Sequence, residues 1–220
     1  MGRVRVMSQA AFIVAVVGAE CTGKSTLVEQ MHAALLAQGT ACAMVPEALR
    51  AFCVRVGRTP MAEEQQAIAN EQTAAIARAA DRYPVVIADT SALMTAVYSE
   101  QVFGDAGLME QAVRAHRSVG LTLLAATDLP WHGDGLQRDG PAARMVVDRL
   151  LRQALDRAAL PYAVVTGACA ARLHAALAAL RRAMALPPKV GVTRWRHSCQ
   201  RCVRVDCADA EWVCSAGRQT

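Results

Sequence analysis

The sequence predicts an α/β fold: a mostly parallel five-stranded sheet with helices on both faces, followed by a short cysteine-rich C-terminal tail. Three observations predict it. Five short apolar runs recur along the chain, and stretches of helical spacing separate them, as the crossovers of a parallel sheet require. The runs are continuous rather than alternating, which marks strands covered on both faces. Apolar residues make up 54% of the 220 residues, ample for one large domain with a small appendage.

The first run, Phe12-Ile13-Val14-Ala15-Val16-Val17, leads into Gly18-Ala19-Glu20-Cys21-Thr22-Gly23-Lys24-Ser25 and Thr26. This fits G-x-x-x-x-G-K-[ST], the P-loop, whose backbone N–H groups cradle nucleotide phosphates. Leu27, Val28, Met31, Leu35 and Leu36 then recur at helical spacing, so strand, glycine loop and helix stand in the order the motif needs. Gly18 and Gly23 let the backbone approach phosphate with no Cβ in the way. The helix start offers unpaired N–H groups and partial positive charge. Lys24 is expected to reach the β- and γ-phosphates of ATP, and Ser25 to ligate Mg²⁺. Cys21 reads as a spectator thiol.

Arg3 and Arg5 ahead of the apolar run imitate a signal peptide, but cleavage after that run would cut the phosphate loop. The run is therefore the first strand. No stretch reaches the roughly 18 apolar residues of a membrane span. A cytoplasmic protein with reduced thiols and no membrane partner is the expectation.

Gln38-Gly39-Thr40 stops the first helix. A strand over 41–45 ends at Pro46-Glu47, and the segment 48–59 carries Arg50, Arg55 and Arg58. A helix is predicted over 61–81, then the buried strand Val85-Val86-Ile87-Ala88 ending at Asp89-Thr90. Helices over 92–98 and 108–119 precede a strand over 121–125 that ends at Thr127-Asp128. The polar stretch 129–140 has the look of a functional loop or lid. A helix over 141–159, a strand over 162–165 ending at Thr166-Gly167, and a helix over 168–185 complete the body.

Ligands of such sheets bind beyond the carboxyl ends of the strands. That rule selects residues 18–25, Glu47, Asp89, Asp128 and Gly167 together. Asp89, an acid after four apolar residues, matches the Walker-B pattern and is expected to hold Mg²⁺ with Ser25; the competing role is a helix N-cap. Glu47, three residues before Arg50, stands where a carboxylate can orient or deprotonate an acceptor hydroxyl. Arg138 is expected to fold onto the transferred phosphoryl group, and Trp131 to stack on a planar ring or cover the core edge. His132 reads as an exposed loop histidine.

These residues resemble a known family. Residues 18–26, Glu47 with Arg50, Asp89-Thr90 followed by Leu93, Thr95 and Tyr98, Phe103-Gly104, and Asp128-x-Pro130-Trp131-x-x-Asp134-Gly135-x-x-Arg138 are similar to the bacterial ribosylnicotinamide kinase module of the NadR type. The resemblance covers roughly residues 12–180. It implies ATP-dependent phosphorylation of nicotinamide riboside to nicotinamide mononucleotide, with Trp131 on the nicotinamide ring and Asp89 in the catalytic set. The substrate set is then Glu47, Arg50, Tyr98, Asp128, Trp131 and Asp134.

Residues 187–220 carry +3 of the net charge of +5. The main body, 1–186, thus has no nucleic-acid footprint. The tail contains Cys199, Cys202, Cys207 and Cys214, opened by a C-x-x-C. Four thiolates suit a structural Zn²⁺; an iron–sulfur cluster, a redox pair and a disordered thiol-rich tail fit the irregular spacing as well. The reading of the whole is a P-loop kinase acting on a small-molecule nucleoside. Its rival is a regulatory P-loop ATPase or nucleotide switch whose cysteine tail binds a partner or nucleic acid. A kinase needs an acceptor pocket; a switch does not.

Overall fold

Residues 13–19 are buried without a break, a run that only the middle of a sheet covered on both faces can accommodate. The computed structural model, which describes residues 10–131 and 140–185, puts that run there. Strands β1 (Phe12–Val17), β2 (Cys42–Val45), β3 (Val85–Asp89), β4 (Leu121–Ala125) and β5 (Ala163–Val165) form one sheet in the order β2-β3-β1-β4-β5. Every pairing is parallel, so the sheet is wholly rather than mostly parallel.

Two layers of helices cover it. Val14 and Val16 of β1, with Ile87, Leu123 and Val165, pack against Leu27 and Met31 of α1 (Lys24–Ala37) and Leu177 and Leu180 of α7 (Cys169–Ala185). On the opposite face, Ala15, Val17, Leu124 and Val164 meet Leu93 and Val97 of α4 (Ala92–Phe103) and Leu151 and Leu155 of α6 (Pro141–Arg157). Ile76 of α3 (Gln65–Ala80) joins Ile13, Val45, Val86 and Ala88 on that side. Each such aliphatic side chain, fully buried, is worth about 1.5–3 kcal/mol. α5 (Met109–His116) packs on α4.

Three local features differ from the expected elements. Segment 48–59, to which the sequence analysis assigns no element, contains α2 (Ala48–Val56), closed by Gly57 in the left-handed region. Leu49, Phe52, Cys53 and Val56 stand at helical spacing, yet Cys53 is the only buried residue of α2 and Val54 is 79% exposed. A 3-10 turn over Ala62–Glu64 precedes α3, where Glu64 takes the Met61 N–H at 2.7 Å and Arg58 at 2.6 Å. α4 runs on to Phe103 because the next residue, Gly104, is the first that closes it, at φ 68°.

All five carboxyl ends share one edge. The chain leaves β1 toward β2 and leaves its neighbour β4 toward β5, in opposite directions, which opens a crevice at the carboxyl end of β1. No helix among the described residues is long and apolar enough to cross a membrane. His132, Asp134, Gly135, Arg138, the boundary at 186–187 and the four tail cysteines lie outside the described residues.

Candidate active site at the carboxyl edge

The phosphate loop is built around two glycines. Gly18 adopts φ +148°, and a Cβ there would lie 2.8 Å from the Ala125 carbonyl oxygen, so only glycine lets β1 pass β4 this closely. Gly23 adopts φ +72° and ends the loop directly before α1. Among the described residues no side chain caps the start of α1, which leaves its N–H groups for an anion. Lys24 is buried, and its Nζ donates to the Ala19 carbonyl at 2.7 Å, beside the Thr22 hydroxyl at 2.8 Å on the same oxygen. Burial pushes the Lys24 ammonium below its ordinary pKa; Glu47, Asp89 and Glu20 pull it back up. The three carboxylates oppose the cost of burying that charge.

Asp89 closes β3 opposite Val16 of β1, and the Thr90 N–H continues the ladder to the Val16 carbonyl at 3.0 Å. That register delivers its carboxylate to Ser25, whose hydroxyl donates to Asp89 Oδ2 at 2.5 Å. The helix-cap role belongs to Ser91, which accepts the Leu93 N–H. Asp89 Oδ1 is buried with no hydrogen-bond partner among the described residues. An orphaned carboxylate oxygen beside a hydroxyl fits a hard divalent cation, and Mg²⁺ takes most of its ligands from water and phosphate. No group of three or more His, Cys, Asp or Glu among the described residues could hold a metal, so the donor set suits Mg²⁺ only with a nucleotide present.

On the β2 side, Glu47 begins α2 without capping it, and its side chain is 11% exposed. Burial raises its carboxyl pKa; Lys24 counteracts this and Asp89 adds to it. Arg50 lies 3.5 Å away. Tyr98 of α4 reaches the same place: burial, then Glu20 and Glu47, hold its hydroxyl well above the usual range, and it hydrogen-bonds Glu20. Glu47, Arg50 and Tyr98 thus lie within electrostatic reach of one another, and Glu47 within that of Lys24 and Asp89. Glu20 joins them through its side chain, a role its place in the loop motif did not suggest.

Asp128 sits on the other side of β1, beyond β4. Its Oδ2 accepts the Gly167 N–H at 2.6 Å, and its Oδ1 pairs with Arg172. Arg172, buried on α7, also donates to the Gly167 carbonyl at 2.7 Å and to the Thr22 carbonyl. One guanidinium therefore ties the phosphate loop to the loops after β4 and β5. The sequence reading missed Arg172; its visible mark is an arginine one turn into an alanine-rich helix, well before the Arg181-Arg182 pair at its end. Arg144 of α6, also missed, is buried and donates to the Leu129 carbonyl at 2.9 Å. Trp131 is partly buried, and no hydrogen bond among the described residues joins it to the Glu47 cluster.

A family profile described as AAA domain matches residues 13–172. No curated protein matches the chain in sequence. Among solved structures, the NadR protein in complex with NAD and AMP-PNP aligns with a TM-score of 0.63 at 17% identity, over 86% of this chain and 52% of that one. The NadR protein in complex with NR aligns with a TM-score of 0.63 at 19% identity, over 83% and 54%. The chain spans about half the length of these NadR chains, and at this identity the likeness is one of fold.

Proposed function

This chain belongs to the AAA domain family, and we propose from that membership and the site's geometry that it is an ATP-dependent phosphotransferase with a small nucleoside as acceptor. Nicotinamide riboside is the acceptor we infer. The P-loop supports nucleotide binding, and the fold shared with NadR supports a kinase-like arrangement. The observation that carries the reading is Glu47: a largely buried carboxylate of raised pKa within the field of Lys24, a group that a nucleotide switch has no use for.

Lys24 and the uncapped start of α1 would hold the β- and γ-phosphates. Ser25 and Asp89 would hold Mg²⁺, which supplies charge neutralisation at those phosphates when bound. Between the two candidate bases, Asp89 is engaged by Ser25 at 2.5 Å, whereas the Glu47 carboxylate has an ion pair with Arg50 at the longer distance of 3.5 Å. Glu47 is therefore the base. It takes the proton as the acceptor oxygen bonds to the γ-phosphorus, and the bond from that phosphorus to the departing ADP oxygen breaks. Arg50 and Tyr98 line the acceptor side. Asp128 serves as a positioning residue through Arg172 rather than as a substrate contact. Trp131, Asp134 and Arg138 remain assigned to the acceptor and phosphoryl group by the resemblance alone.

ADP formation measured with ATP·Mg²⁺, with and without nicotinamide riboside and other nucleosides, tests this. Acceptor-dependent ADP release with a phosphorylated nucleoside as product is the expected result. Slow hydrolysis indifferent to every nucleoside would replace the kinase by the switch.

A further inference from the structure

Helix α3 carries two glutamines on one face, seven residues or two turns apart, and both are buried: Gln65 at 3% and Gln72 at 1% exposure. Gln72 Oε1 accepts the Ala48 N–H at 2.7 Å, directly after Glu47. Because a backbone N–H needs an acceptor, the amide oxygen is the atom turned to Ala48, and Nε2 is left as a donor. Among the described residues, Nε2 of Gln72 and Oε1 of Gln65 have no hydrogen-bond partner. Buried polar groups without partners are rare in native structures, and a ligand that completes them is one explanation.

The topology orders the pair. α3 leads into β3, which starts at the amino edge of the sheet, so α3 runs from the carboxyl edge inward. Gln72 therefore stands beside Glu47 and Gln65 farther out, roughly 10 Å away at 1.5 Å per residue. We propose that α3 measures the acceptor: Gln72 Nε2 donates to an oxygen next to the reacting hydroxyl, and Gln65 Oε1 accepts an N–H at the far end. The acceptor class is then an elongated molecule, a sugar hydroxyl at one end and an amide or amine N–H about 10 Å away. This rests on the kinase reading above, and it makes Gln65 a specificity residue for that acceptor.

Two ribosides separate the outcomes: one with a terminal carboxamide, nicotinamide riboside, and its carboxylate counterpart, nicotinic acid riboside, which lacks the N–H. Wild type should prefer the carboxamide. Gln65→Met keeps the volume and removes the acceptor oxygen. It should raise KM for the carboxamide about ten-fold, one hydrogen bond's worth, leave KM for ATP unchanged, and abolish the preference. Its Tm should not fall, because an unpartnered buried oxygen is removed. Gln72→Met should raise KM for both ribosides alike and lower Tm, since the cap on α2 goes with it. If Gln65→Met keeps wild-type KM and preference, or Gln72→Met leaves both KM values unchanged, the measuring role is wrong and the kinase reading stands. If wild type phosphorylates neither riboside, the kinase reading for these acceptors fails first, and the inference with it.

Discussion

At Glu47 the fold keeps a carboxylate where burial opposes its charge, and Lys24 is the largest influence offsetting that cost. Glu47→Gln preserves size and hydrogen bonding but removes the base. Acceptor-dependent turnover should fall by roughly 10²–10⁴, the usual share of general acid–base catalysis, with nucleotide affinity unchanged in equilibrium binding. The pH profile carries a second signature. The base works ionised and its pKa is raised, so kcat/KM should fall with decreasing pH at values above the ordinary 4.5 of a glutamate. That acidic limb should vanish in Glu47→Gln. Lys24→Met makes the complementary case: turnover should be lost outright while Tm holds, because burial already disfavours the ammonium that the substitution removes. Retained turnover in a folded Lys24→Met protein would remove the phosphate loop from the mechanism.

At the scale of elements, two buried side chains join segments that the apolar pattern alone would leave loosely tied. His116 at the end of α5 meets Ser91 Oγ at 2.9 Å through Nδ1 and Thr122 Oγ1 at 2.8 Å through Nε2, linking the start of α4 to β4. Burial lowers its pKa to about 4. The unfolded chain, near 6.5, takes up the proton first, so stability from this network is complete above about pH 6.5 and is lost as pH falls toward 4. The loss should reach about 3 kcal/mol by pH 4 in urea unfolding. His116→Gln, neutral throughout, should flatten that slope. Arg172 is the second tie. Arg172→Met should cost about 2–3 kcal/mol, as hydrogen bonds to a charged group are lost, and should weaken ATP binding because Thr22 belongs to the loop it holds. An unchanged nucleotide Kd would confine Arg172 to stability.

For the whole molecule, the described sheet and its two helical layers close their core by Leu180 of α7, before the cysteine-rich tail begins. We therefore expect a chain ending after Pro188 to bind ATP as the full chain does. If Cys199, Cys202, Cys207 and Cys214 hold one Zn²⁺, the full chain should purify with about one metal and the shortened chain with none. Metal analysis of both proteins decides it; metal-free full-length protein purified without chelators counts against the zinc site.

The sequence alone determined the parallel sheet, the phosphate loop and the place of Asp89. Each is written in contiguous residues: an unbroken apolar run, a glycine spacing, an acid at a strand's end. Glu47 and Asp128 were legible only as strand ends, because the shared edge of a parallel sheet is implied by its pattern while the partners waiting there are not. α2 was not assigned although Leu49, Phe52, Cys53 and Val56 stand at helical spacing, because three arginines interrupt a short segment in which only Cys53 is buried. Tertiary structure decided the partnerships. Asp89 meets Ser25 across 64 residues, Arg172 meets Asp128 across 44, and Gln72 caps α2 across 24. Hydrogen bonds over such separations follow from which helix packs on which strand, and no local propensity encodes that choice.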